Sequence, residues 1–234
     1  MARRTKADAL ATHDNILDSA ELLFLRQGVS RTTLSHIAAG AGVSRGAIYW
    51  HFEDKAALFN AMMERARMPL ESAMQLLDLP HQSDPLGCLT DYATLVFRLT
   101  VSDPKARGVF EIATLKIEYV DEMTSVRLRR AEMANRWMAA AESRIRFAVH
   151  AGHARRNVDP RAVALGLWSI IDGLLRAWMI NPNSFNLVTM GGHIVETHLD
   201  AIRQPGKGSR GATIYRPALA IATSRRRTCL NSEE

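Results

Sequence analysis

The chain has 234 residues, 47% of them hydrophobic, and only two cysteines. That is enough for one large domain or two small ones, and it excludes a disulfide-stapled miniature fold. The formal charge of +6 invites a nucleic-acid argument, but residues 203–234 carry seven Lys/Arg against two acids, leaving 23 basic against 22 acidic residues elsewhere. Local clusters therefore count for more than the sum, and Arg3, Arg4, Lys6, Arg26, Arg31, Arg45 and Lys55 all fall in the first sixty residues. No uninterrupted run of about 18 apolar residues suggests a membrane span. The basic start Met-Ala-Arg-Arg-Thr-Lys leads into no apolar signal segment. With Cys88 and Cys229 far apart, a reduced, cytoplasmic setting is expected, without zinc site, structural disulfide or cofactor.

Residues 1–7 read as a short arm, either solvated or touching DNA. Ile16, Leu17, Ala20, Leu23 and Phe24 then recur with helical period, and Gly28 is a natural helix stop. The run from Thr33 to Phe52 reads as two short helices around a tight turn. Leu34, Ile37, Ala38 and Ala41 form one apolar face, Gly42 tolerates positive φ, and Ser44 is a good N-cap. Ile48 and Phe52 give the second helix its buried side. Spacing of this kind is that of a helix-turn-helix, whose second helix enters the DNA major groove. On that helix Arg45, Gly46, Ala47, Tyr49, Trp50 and His51 point outward. Arg45 can read a guanine edge, the small Gly46 and Ala47 allow close approach, and Tyr49 and His51 suit phosphate oxygens. Thr33 and Ser44 join this set, and Lys55 is placed to add a phosphate contact. The competing reading is an ordinary helical hairpin with a solvated basic face.

Gly28-Val-Ser-Arg-Thr-Thr-Leu-Ser-His-Ile-Ala38, Ala41-Gly-Val-Ser-Arg-Gly-Ala-Ile-Tyr-Trp-His-Phe52 and then Asp54, Lys55, Leu58 and Phe59 together resemble the N-terminal domain of the TetR family. Within it, the Gly-Ala-Ile-Tyr-Trp-His-Phe wording is most similar to local repressors of multidrug efflux pumps. The resemblance is specific over about residues 10–60 and weaker over about 80–203. It implies an all-α homodimeric repressor that binds a palindromic double-stranded DNA operator and is released by a small, largely apolar effector. A transcriptional activator, a ligand-insensitive regulator, or a ligand-binding protein without specific DNA binding are the alternatives.

The expected organisation is a helix-turn-helix domain over 1–55, a helical effector-binding and dimerisation domain over 56–203, and a basic tail over 204–234. A fourth helix after Asp54 carries Leu58, Phe59, Met62 and Met63, and Pro69 interrupts its rhythm. Pro80-His-Gln-Ser-Asp-Pro85 reads as a linker. Asp84-Pro85, Asp103-Pro104 and Asp159-Pro160 each predict a helix start, with Asp as cap and Pro in the first turn. Helices are expected at about 85–101, 104–118, 122–151, 160–180 and 186–203. Residues 160–180 have hardly any polar face, so core must bury one side and a partner the other; an internal helix of a monomer is the alternative. The resemblance implies that this helix and 186–203 form a four-helix dimer interface, here assigned to Leu167, Ile171, Leu174, Trp178, Ile194 and Leu199.

The resemblance also implies an effector pocket within about 60–180. Glu111, Asn135, Trp137 and Asp172 are its candidate lining. Asp172, alone in an apolar run, needs a partner: a ligand, Arg176 one turn on, or a group across the dimer. His150, His153, His193 and His198 gather no three ligands on one face, so no metal is expected. No nucleophile triad, phosphate loop or carboxylate pair points to an enzyme.

Overall fold

The computed structural model describes residues 6–78 and 84–205, with residues 67–78 described in backbone only. The first five residues, most of the 80–85 linker and the tail from 206 therefore lie outside the described residues, as do the readings made of them. Among the described residues nine α-helices follow in chain order: α1 (Lys6–Gln27), α2 (Leu34–Gly40), α3 (Arg45–His51), α4 (Lys55–Asp78), α5 (Gly87–Ser102), α6 (Pro104–Glu111), α7 (Thr124–His150), α8 (Pro160–Ile180) and α9 (Leu187–Asp200). A π-helical turn (Ile112–Lys116) and a 3-10 turn (Asp121–Met123) fill the connection from α6 to α7. Among the described residues there is no strand. One antiparallel bridge, Ala154 to Arg203, ties the turn after α7 to the end of α9.

Local chemistry sets most of the boundaries. Gly28 ends α1 at φ 83°, and its N–H donates to the Phe24 carbonyl at 2.9 Å. Asp103 and Asp159 cap α6 and α8, each accepting two backbone N–H bonds, with proline next in the chain. Asp84 works one turn upstream of α5, its carboxylate accepting from Gly87 N–H at 2.8 Å. The segment expected as one helix over 104–118 instead breaks into α6 and the π turn. α4, in contrast, continues past Pro69 as a single helix. A proline removes one bond from a ladder that the neighbouring turns still maintain.

Two hydrophobic cores organise the chain. The first holds Ile16, Leu17, Ala20 and Phe24 of α1, Ile37 and Ala38 of α2, Ile48 of α3, and Leu58, Phe59 and Met62 of α4. It also takes in Val109 of α6 and Ile112 and Ala113 of the π turn, together with Met123 and Val126. The second joins α5, α7, α8 and α9 around Phe97, Trp137, Ile145, Leu167, Leu187 and Val195. Gly191 lets α9 close on α5: a Cβ there would stand 2.8 Å from the Phe97 ring. Of the two α8 glycines, Gly166 lies under the His198 ring, whereas nothing approaches Gly173.

Candidate nucleic-acid interface and effector region

The turn between α2 and α3 is built from backbone geometry and two polar props from α1. Gly42 adopts φ 66°, in the left-handed region that costs an L-residue about 1–2 kcal/mol. Val43 N–H then returns to the Ala38 carbonyl at 3.0 Å. Asn15 Nδ2 donates to the carbonyl of the C-cap Ala41 at 2.7 Å, and Ser19 Oγ adds a second bond at 3.0 Å to Ile37 O, which already accepts from Ala41 N–H. At Gly40 a Cβ would come within 2.5 Å of Ser19 Oγ, so a side chain there would displace the Ser19 hydroxyl from its bond to Ile37 O.

α3 is thereby held with one side inward and one outward. Ile48 is fully buried and Phe52 nearly so. Arg45 and Gly46 are exposed, Ala47 half-buried, Tyr49 is 49% exposed and Trp50 73%. Trp50 meets the His51 ring edge-on and leaves most of its own surface to solvent. Among the described residues neither Arg45 nor Tyr49 has an ion pair or hydrogen bond that would hold it to the protein. His51 is half-buried and stacks in a small aromatic group, 4.6 Å from the Trp50 ring and 6.0 Å from His13. His13 also lies 4.9 Å from Phe52. The sequence reading did not single out His13, whose place on α1 gives no hint of that partner.

Thr33 and Ser44 are the N-caps of α2 and α3. Thr33 Oγ1 accepts from His36 N–H at 3.2 Å while His36 Nδ1 accepts from Thr33 N–H at 3.4 Å. Ser44 Oγ accepts from Ala47 N–H at 3.1 Å. A hydroxyl that accepts in this way keeps its own proton to donate outward, so capping and phosphate contact are compatible at both positions.

Lys55 departs from the expectation of a phosphate contact. Its side chain is only 11% exposed and its ammonium pairs with Glu122 at 2.7 Å. It also donates to the carbonyls of Val29 and Thr32, both at 3.1 Å. Three acceptors use all three ammonium protons, so Lys55 fastens the loop before α2 and offers DNA no free donor.

The four effector-lining candidates sit in different environments. Trp137 is 2% exposed, between the rings of Tyr92 and Trp168 at 5.8 and 5.4 Å. Among the described residues its buried indole Nε1–H has no hydrogen-bond partner. Asn135 is exposed, because two residues along a helix turn a side chain through about 200°. Glu111 pairs with Lys116 at 3.8 Å. Asp172 pairs with Arg130 of α7 at 3.4 Å rather than with Arg176 one turn on, both side chains about two-fifths exposed.

The dimer assignment needs a similar correction. Of the expected interface residues, Leu167, Ile171, Trp178 and Leu199 belong to the second core of this chain and keep at most 6% of their surface exposed, so they offer a partner little area. Leu174 and Ile194 are half-buried. The bare apolar side chains on these helices are Leu165 (54% exposed), Ile180 (66%) and Met190 (49%). α8 is also long and apolar enough to cross a membrane by length and composition, with 22% of its most apolar stretch buried within the chain. The search for an uninterrupted apolar run missed this because Arg161, Asp172 and Arg176 punctuate the helix. An amphipathic reading also misses it, since the apolar residues go all the way round.

Residues 16–62 match the bacterial regulatory proteins of the tetR family, and residues 84–204 match the C-terminal region of MAATS-type transcriptional repressors. The chain is 34% identical over 203 residues to the transcriptional regulator TtgR of Pseudomonas putida, covering 87% of this chain and 97% of that one. It is 37% identical over 191 residues to AcrR of Shigella flexneri, covering 80% and 87%. Among solved structures it is similar to NalD, the secondary repressor of the MexAB-OprM multidrug efflux pump in Pseudomonas aeruginosa, with a TM-score of 0.79 and 31% identity over 86% of this chain and all of that one. SmeT in complex with triclosan follows, with a TM-score of 0.77 and 28% identity over 88% and 98%. The bare recognition helix, the two-core helical architecture and these matches agree that the chain belongs to the TetR family of bacterial transcriptional regulators.

Proposed function

We propose that the chain is a homodimeric repressor that holds a palindromic operator of an efflux or detoxification operon and is released by a small, largely apolar effector. The observation that carries the DNA half is α3 itself, with Ile48 fully buried beneath and Trp50 73% exposed above. Two such helices must stand about 34–36 Å apart to read successive major grooves, which requires a dimer. Leu165, Ile180 and Met190 offer the apolar surface for it. The efflux reading is supported by the names of the relatives: NalD and SmeT are repressors of multidrug efflux pumps.

The effector half is supported by Trp137. A buried N–H without a partner costs about 1–3 kcal/mol, and an acceptor on a bound molecule would satisfy it. Its aromatic neighbours Tyr92 and Trp168 suit a flat ring, and triclosan on SmeT makes that compound the first probe to try. No residue is assigned a catalytic role. The test is Arg45→Ala combined with Tyr49→Phe. Operator affinity should fall at least about tenfold, on the scale of one lost bidentate base contact, while the dimer survives in sedimentation. Unchanged affinity would remove α3 from DNA recognition.

A further inference from the structure

The contacts of Arg130 point to a mechanical role that the family assignment does not supply. From α7 its guanidinium reaches in two directions. Nη2 donates to Asp172 Oδ1 on α8 at 3.4 Å. Nη1 donates to the Ala113 carbonyl inside the π turn and to Tyr119 Oη at 3.2 Å. That turn and the residues after it sit on the DNA-binding head. The Lys116 carbonyl accepts from Val29 N–H at 3.0 Å, Ser30 Oγ donates to Glu118 at 3.2 Å, and Glu122 holds Lys55 at 2.7 Å. Val29, Ser30 and Lys55 frame the loop that leads into α2. A single planar fork therefore connects α8 to a segment clamped to the head at three points. Guanidinium suits this position because its donors are spread over a rigid plane wide enough to span two elements, whereas an ammonium's three donors radiate from one atom. The π turn suits it too, since such turns store local irregularity and recur at functional positions.

We propose that Arg130 is a positioning residue through which the state of α8 at Asp172 sets the seating of the 112–122 segment on the loop between α1 and α2. The inference goes beyond the repressor reading and rests on it only for what the head then does to DNA. The Val29 amide reports the seating directly, without ligand or DNA.

The experiment is hydrogen–deuterium exchange on the full chain, comparing wild type with Asp172→Asn, Arg130→Gln and the double variant. Asp172→Asn changes a half-exposed α8 carboxylate that makes no contact with the head, and it keeps the side-chain size. It should nevertheless speed exchange at Val29 by about fivefold, in the range that coupled neighbours show, with helical content and dimerisation unchanged. In the Arg130→Gln background the same Asn substitution should have no further effect. Val29 exchange indifferent to Asp172→Asn would overturn the proposal, as would an equal response with and without Arg130. Should Arg130→Gln fail to fold, Arg130→Lys replaces it: the charge is kept, the fork is lost, and Val29 should again stop responding to residue 172. Because the readout uses no operator, a protein that proved unable to bind DNA would leave this result intact.

Discussion

Asn15 and Ser19 stand one turn apart on α1 and donate to the carbonyls of Ala41 and Ile37. They hold the end of α2 and the turn that leads into α3, while Ile48 holds α3 itself. The sequence made Ile48 visible through its apolar period, whereas a serine and an asparagine on a helix look like solvated surface whatever they bond to. Lys55 misled for the same reason, since charge alone does not reveal whether an ammonium faces phosphate or three protein acceptors. Glu21 gives a sharper test at this scale. It lies against α6, its side chain 12% exposed and 3.2 Å from Arg65. Burial raises its carboxyl above the ordinary 4.5, outweighing the attraction of Arg65 and Lys105. Between 4.5 and the raised value the folded state holds the proton more tightly than the unfolded one, so this site gains stability as pH falls and bears a cost at pH 7. Glu21→Gln should therefore raise the melting temperature at pH 7, with the gap to wild type closing as pH approaches 4.5; a drop at pH 7 would mean that the Arg65 pairing dominates. Cys88 is the second case. Burial pushes its thiol up to about 11, with Arg144 acting against the shift, and its Sγ donates to Pro85 O at 3.0 Å. Since the thiolate is the nucleophile, iodoacetamide at pH 8 should leave Cys88 unmodified in a folded Cys229→Ser variant and label it once the chain is denatured. Rapid labelling of the native form would place the thiol in a different environment.

Among the elements, α8 shows most clearly what a sequence can and cannot convey. Its length, its Asp159-Pro160 start and its shortage of polar residues are all legible, and the helix runs from Pro160 to Ile180 as that start requires. Which residue meets which neighbour is not legible, because a helix apolar all round has no phase from which to tell inward from outward. Hence Leu167 and Ile171 looked equivalent to Leu165, although only Leu165 is bare. The consequence is measurable. Leu165→Glu should shift the protein from dimer to monomer in sedimentation velocity while its melting profile stays cooperative. Leu167→Glu should instead disrupt the protomer, since a charge without a partner would enter the second core. A dimer indifferent to Leu165→Glu would move the interface off this face of α8. The connection from α6 to α7 was the least legible element. Its hydrophobic rhythm continues through 118, so nothing in the pattern announces a π turn between Ile112 and Lys116.

At the scale of the whole molecule, the head is not a module hung on a linker. The first core runs from Ile16 to Met62 and continues into Val109, Ile112, Met123 and Val126, so both ends of the α6–α7 connection are part of the base on which α3 is mounted. Arg65 adds a polar junction, bridging Asp18 at 2.8 Å and Glu21 at 3.2 Å, with Lys105 of α6 also on Asp18 at 3.4 Å. Packed interfaces of this kind tend to have discrete arrangements and resist continuous bending, which is what a regulator linking a ligand to a DNA grip requires. If effector and operator are coupled, the factor by which one weakens the other must be the same in both directions. The central claim remains that α3 reads one DNA sequence. The direct measurement is to incubate the purified protein with fragmented DNA of its host at low and physiological salt and to sequence what is retained. Recovery of one palindrome at both salt concentrations, lost with Arg45→Ala and Tyr49→Phe together, is the predicted result. Recovery of only sequence-random fragments that disappear as salt rises would show charge-driven binding alone, and would contradict it.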